Sequence, residues 1–217
     1  MKNIIILTLT LIGLIAVSSC KKDPCKDSNC LNGGVCIDGT CNCPTGYSGT
    51  HCENFNPCVN VTCLNGGYCA NGQCVCPQGY TGSNCSQQVT PTQMSITKIE
   101  VTRFPATDNG AGWDLTSGPD IYPTFSFGSA TLWDSPTYFE NSNPNLIYEF
   151  VPNPAIVISS PNSQYTIRLY DYDTADPDDF MGGINFTPYN STGGFPTSGI
   201  IDAGGTVAFR LTFTYSW

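Results

Sequence analysis

Residues 169–183 read LYDYDTADPDDFMGG. Five of them are aspartate, Asp171, Asp173, Asp176, Asp178 and Asp179, in a chain that is only 12% charged. The residues just before, 165–170 (YTIRLY), alternate apolar and polar positions and predict a strand. The acid run therefore begins where that strand leaves its sheet. Asp171 and Asp173 are two apart, so they project to the same side of an extended chain. Two like charges ~4 Å apart cost roughly 4 kcal/mol at an effective dielectric near 20. Such a loop either splays into water or holds a cation. Ca²⁺ suits it, because the ion accepts about six to eight oxygens in flexible geometry. A second stretch, WDLTSGPDIYPTF at 113–125, places Asp114 six residues before Asp120, directly ahead of a predicted strand at 121–127. Asp173 stands at the same distance before Asp179.

The charge around these loops is lopsided. The 217 residues carry a formal net charge of −9. Residues 1–94 balance to zero. Residues 95–217 have four cations (Lys98, Arg103, Arg168 and Arg210) against thirteen acids. That balance argues against nucleic acid as a partner and disfavours a strongly anionic membrane surface. All thirteen cysteines lie at or before Cys85. A neutral, cysteine-rich half thus precedes an acidic, cysteine-free one.

The first twenty residues, MKNIIILTLTLIGLIAVSSC, form an address. Their apolar run at 4–17 is shorter than the ~20 residues needed to cross ~30 Å of hydrocarbon, and reads as a signal-peptide core. Val17-Ser18-Ser19-Cys20 resembles the bacterial lipobox, which implies cleavage of 1–19 and lipidation of Cys20. Twelve cysteines remain to pair, and Cys20 is the odd one. Each buried methylene of an acyl chain contributes about 0.8 kcal/mol, so two or three chains anchor firmly. The expected location is the cell envelope, at the outer membrane or cell surface, with residues 20–24 forming the lipidated N-terminus.

Cys25, Cys30, Cys36, Cys41, Cys43 and Cys52 recur, each plus 33, as Cys58, Cys63, Cys69, Cys74, Cys76 and Cys85. CLNGG repeats at Cys30 and Cys63, and GYSGTHC is answered by GYTGSNC. Units this small need cross-links to stay folded, and each disulfide loop contributes ~3 kcal/mol in the chain-entropy model. Six cysteines allow 15 connectivities, and spacing alone does not choose among them. A zinc site fits poorly, because C-x-C spacing without His pairs is not a zinc pattern. The pattern C-x4-C-x5-C-x4-C-x-C-x8-C, with Gly-Tyr-x-Gly before the last Cys, resembles the EGF-like module. The resemblance implies Cys25–Cys36, Cys30–Cys41 and Cys43–Cys52 in module one (25–52). In module two (58–85) it implies Cys58–Cys69, Cys63–Cys74 and Cys76–Cys85. The calcium-binding residues of that family, which precede the first Cys, are replaced here by KKDPC and FNPC, so these modules are expected to be spacers or protein-contact units.

Residues 86–94 are polar and read as a linker. Beyond them, short β-rich runs alternate with Gly, Pro, Asn and Asp clusters. Strands are predicted at 96–104, 121–127, 146–151, 155–159, 165–170, 183–186 and 207–217. In the last, Val207, Phe209, Leu211, Phe213, Tyr215 and Trp217 share one face. No helical period is sustained, so residues 95–217 predict one antiparallel sandwich of seven or eight strands. The two Asp loops resemble those of the C2 domain, an eight-stranded β-sandwich whose top loops bind calcium. Carried over position by position, the resemblance implies Asp114, Asp120, Asp171, Asp173 and Asp179 as Ca²⁺ ligands, with Asp176 where some members hold a further ion. Asp178 has no assigned role and is expected to be solvated. Only linker precedes the first strand and the last strand is long, which suits the permuted, type II strand order. The domain lacks the Lys-rich strands and bulky loop tips of lipid-binding members, which weakens phospholipid as a partner and leaves a protein or glycan ligand.

The only histidine, His51, lies in the first module, so Cys/His and Ser/His/Asp catalysis have no material in the sandwich. The fold expected is mostly β: two EGF-like modules followed by a C2-like sandwich. The function expected is non-enzymatic: a lipid-anchored, calcium-dependent binding or adhesion protein whose modules serve as a stalk. The alternatives are a metal-independent structural or adhesive protein and a glycan hydrolase.

Overall fold

The computed structural model describes residues 22–114, 117–175 and 177–217, and contains strands and turns but no helix among them. Cys20 and Asp176 lie outside the described residues. The described residues form two compact units, one ending at residue 60 and one running from 61 to 217.

Module one contains two hairpins. β1 (Val35–Ile37) pairs with β2 (Thr40–Asn42), and β3 (Tyr47–Ser48) pairs with β4 (Asn54–Phe55). Asp38 and Gly39 both have positive φ, 50° and 83°, the twist a two-residue hairpin turn demands. Module two repeats this plan. β5 (Tyr68–Ala70) and β6 (Gln73–Val75) turn through Asn71-Gly72 at φ 50° and 83°. β7 (Tyr80–Thr81) pairs with β8 (Gln87–Gln88). Cys25–Cys36, Cys30–Cys41, Cys43–Cys52, Cys63–Cys74 and Cys76–Cys85 are bridged. Cys58 and Cys69, the counterparts of Cys25 and Cys36, are also disulfide-bonded.

The repeated CLNGG has a local cause. Asn32 donates its side-chain N–H to the Cys52 carbonyl at 2.8 Å, and Asn65 does the same to Cys85. A Cβ on Gly34 would stand 2.7 Å from Cys52 Sγ, and one on Gly67 2.7 Å from Cys85 Sγ. The second glycine of each motif thus makes room for the bridge.

The sandwich has two antiparallel sheets. One runs β11 (Ala130–Asp134), β10 (Ile121–Phe127), β14 (Tyr165–Asp171), β15 (Asp179–Phe186). The other runs β12 (Tyr148–Phe150), β9 (Gln93–Arg103), β17 (Ala208–Ser216), β16 (Ser198–Ile201), with β13 (Ile156–Ile158) also on β9. β12 faces residues 99–101 of β9, and β13 faces residues 94–96. They form one interrupted edge strand, so nine segments among the described residues fill eight strand places. The first strand pairs with the last, Ile99 against Leu211. Ile96, Ile99, Val101, Phe125, Ile167, Leu169, Phe209 and Leu211 are each 0% exposed and join the sheets in one core.

Four details depart from the sequence expectation. β11 and β16 lie outside the predicted strands, because their side chains are mostly exposed and give no apolar period. The β10–β11 turn is Gly128-Ser129, with Gly128 at φ 58°, a short-range turn signal of the kind that hydrophobic pattern does not register. β15 begins at Asp179 rather than 183, since Asp179 pairs with Asp171 in the ladder. Residues 86–94 hold β8 and the start of β9, because Gln87–Gln88 complete the module's second hairpin and Gln93 pairs with Ser216.

Module two packs against the sandwich within its unit. Tyr80 meets Phe195 edge-on at 5.3 Å, and Phe195 meets Trp217 at 5.0 Å. Trp217 donates its indole N–H to the Val89 carbonyl at 3.3 Å. Gly79, at φ 87°, lets these rings approach: a Cβ there would stand 2.5 Å from Phe195 and 2.7 Å from Trp217.

Candidate metal centre

The alternation of β14 explains the most important aspartate. Tyr165, Ile167, Leu169 and Asp171 are its buried positions, so Asp171 continues the row of core-facing side chains. The carboxylate caps the core at the strand's end and is 0% exposed. Its neighbours in register are Ile121 on β10 and Asp179 on β15. Three strand ends therefore converge there.

Asp171 Oδ1 accepts the Asp120 backbone N–H at 2.5 Å. Oδ2 is buried without a hydrogen-bond partner. Burial pushes the carboxyl up to about 6; the Asp120 N–H opposes this, while the charges of Asp114, Asp173 and Asp120 add to it. The two predicted loops are thus brought together at one buried carboxylate.

The other acids hold the loops in place. Asp120 Oδ1 accepts the Asn141 N–H at 2.8 Å, and the Asp120 carbonyl accepts the Tyr172 N–H at 2.8 Å. Asp114 Oδ2 accepts the Ser117 hydroxyl at 3.0 Å. Asp173 is half-buried and Asp179 is exposed on β15. Asp178 corrects its expectation as a solvated residue. Its Oδ2 accepts the Tyr122 hydroxyl at 2.5 Å and its Oδ1 accepts the Asp173 N–H at 3.0 Å. Tyr122 reaches it from β10, and the polar face of that strand carried no signal of this pairing.

The sandwich cations are engaged elsewhere. Lys98 lies 3.0 Å from Glu149, Arg103 forks onto Asp202 at 2.8 and 2.6 Å, Arg210 lies 3.4 Å from Glu100, and Arg168 donates to the Ser126 hydroxyl at 2.7 Å. The chemistry of Asp171 suits a divalent cation: its orphaned, buried carboxylate oxygen sits among acids whose charges raise its proton affinity. Among the described residues, however, no three or more His, Cys, Asp or Glu side chains form a group already arranged to hold a metal ion.

Two family models match the chain. That of the EGF-like domain covers residues 56–85, and that of the human growth factor-like EGF covers 30–47. With the bridges described above, the N-terminal half contains EGF-like modules. Such disulfide-rich modules belong to extracellular or secreted surroundings. No curated protein matches the chain. Among solved structures, a C2 domain is similar at 17% identity and TM-score 0.40, covering 58% of this chain and 98% of that one. A C2 domain of plant extended synaptotagmin 1 is similar at 11% identity and TM-score 0.37, covering 59% and 99%. The calcium-bound pair of C2 domains of extended synaptotagmin 2 is similar at 18% identity and TM-score 0.34, covering 58% and 47%. At such scores these likenesses carry no functional weight, and the sandwich is defined by its own sheets.

Proposed function

We propose that this chain is a lipid-anchored envelope protein. Cys20 carries the lipid, two EGF-like modules follow, and a C2-like sandwich binds a protein or glycan ligand in a Ca²⁺-dependent way. The observation that carries the reading is Asp171, a fully buried carboxylate with one orphaned oxygen and three acid neighbours. Asp114, Asp120, Asp171, Asp173 and Asp179 would hold the ion, and Asp176 is a further candidate. When bound, Ca²⁺ supplies the positive charge that offsets repulsion among these acids. The chain's own contribution is to fix the loops: Asp120 N–H orients Asp171, and Asp178 ties the third loop to Tyr122. No catalytic role is assigned.

Calorimetric titration of the full chain with Ca²⁺ tests this, together with melting in Ca²⁺ and in chelator. Extracellular sites of this type bind at about 10⁻⁴ to 10⁻³ M, so heat uptake or release and a rise in Tm are expected at millimolar Ca²⁺. Neither signal at that concentration sinks the metal reading. A second reading, metal-independent binding, is favoured by the lack of a ready-formed metal-holding group among the described residues. Replacing Asp171 and Asp173 by Asn separates the two, since ligand binding unchanged by that double variant supports the second.

A further inference from the structure

Beside the acid loops, on the outer side of the sheet, a cleft of about 310 Å³ is lined by Tyr122, Asp134, Thr137, Tyr138, Tyr172 and Asp178, together with Ser135 and Pro136. We propose that this cleft binds the guanidinium or ammonium group of a basic side chain on a protein partner. The inference rests on reading the sandwich as the binding head, and not on the metal.

The chemistry of the lining selects the ligand. It contains two carboxylates, three phenol rings and two aliphatic hydroxyls, but no Lys, Arg, His, Asn or Gln. Carboxylates only accept hydrogen bonds, while guanidinium and ammonium groups only donate them. The floor is preset: Asp178 is held by the Tyr122 hydroxyl and by the Asp173 N–H, so its charge is fixed in place. Tyr138 lies stacked on Tyr172, with centroids 4.5 Å apart and planes 17° from parallel. Tyr122 is stacked on Tyr170 at 5.6 Å. Paired rings make flat, rigid walls, and a planar guanidinium is attracted to ring faces as well as to carboxylates. The four cations of the sandwich are engaged elsewhere, so they do not compete for the cleft. The domain's excess of thirteen acids over four cations would also steer a basic partner toward it.

The test titrates the full chain with the peptide acetyl-Gly-Arg-Gly-Arg-Gly-amide, followed by backbone amide shifts and calorimetry. The control peptide replaces both Arg by citrulline, which keeps the shape and removes the charge. The Arg peptide is expected to bind at least roughly tenfold more tightly than the citrulline peptide, and to shift the backbone amides of Asp134, Thr137, Tyr138, Tyr172 and Asp178. Asp134→Asn and Tyr138→Ala, both at exposed positions, should each weaken binding several-fold with Tm unchanged. Equal binding of the two peptides, or no effect of Asp134→Asn, overturns the proposal. The titration is run in Ca²⁺ and in chelator. Binding of the Arg peptide in chelator upholds the cleft even where Ca²⁺ alone produces no heat, so the two readings fail separately.

Discussion

At the scale of a residue, Asp171 shows how position converts a polar side chain into a costly one. A solvated Asp on a loop costs nothing; the same residue on the core row of β14 loses its water and faces three acids. Its carboxyl rises from 3.8 to about 6 in the folded chain. Across that interval the folded state keeps a proton that the unfolded chain has released. In chelator, stability should therefore fall as pH rises from about 4 to about 6, then level off. Urea melts over that range check this, and Asp171→Asn should remove its share of the slope. A parallel slope in variant and parent would contradict the assignment. Asp178 gives a second prediction. Its two hydrogen bonds tie β10 to the third loop, so Asp178→Ala should cost about 1–3 kcal/mol in chelator by urea melts. A loss below ~0.5 kcal/mol would return it to the class of solvated acids.

At the scale of an element, β15 begins within the acid run and must bend immediately. The β14–β15 ladder shifts register between Leu169 and Tyr170, opposite residues 180–182. Gly182 sits at φ 151°, and a Cβ there would stand 2.6 Å from Thr206 Oγ1 and 3.0 Å from a Val207 methyl. Gly182→Ala should destabilise the sandwich by roughly 1–3 kcal/mol, through backbone strain and crowding against the facing sheet. On the proposed metal reading it should also weaken Ca²⁺ binding, since the register of β15 sets where Asp179 stands opposite Asp171. Chemical denaturation and calorimetry read the two effects separately, and unchanged values in both would show that the strand adapts. The local patterns of β14 and β17 are plain in the sequence because their apolar residues alternate. β11 and β16 lie at sheet edges and bury little, so the hydrophobic effect wrote no pattern into them.

At the scale of the whole molecule, stability comes from two chemistries. The modules bury little and rely on bridges; the cysteine-free sandwich relies on its core. Reduction should unfold the modules, each lost bridge removing ~3 kcal/mol, while the sandwich persists as a separate transition. Near-ultraviolet dichroism in reductant and in oxidised buffer checks this, and a single shared transition would refute it. Module two nonetheless contacts the sandwich through Tyr80, Phe195 and Trp217. Phe195→Ala should loosen that contact and speed limited proteolysis at residues 89–92 at least several-fold, since cleavage follows local opening.

Residue order alone makes legible the repeat, the class of small cross-linked module, the β character of the acidic half and the two loops that carry the acids. Cysteine spacing, residue alternation and Asp spacing are local, and each is imposed by local geometry. The assembled sheets settle what those local signals leave open. They place Asp171 at the end of a core row with an unpartnered oxygen, tie Asp178 to Tyr122, and set Tyr138 on Tyr172 to form a cleft from separate loops. The reason is that burial and partner choice depend on which strands meet, and Asp120 and Asp171 become neighbours only when β10 and β14 pair.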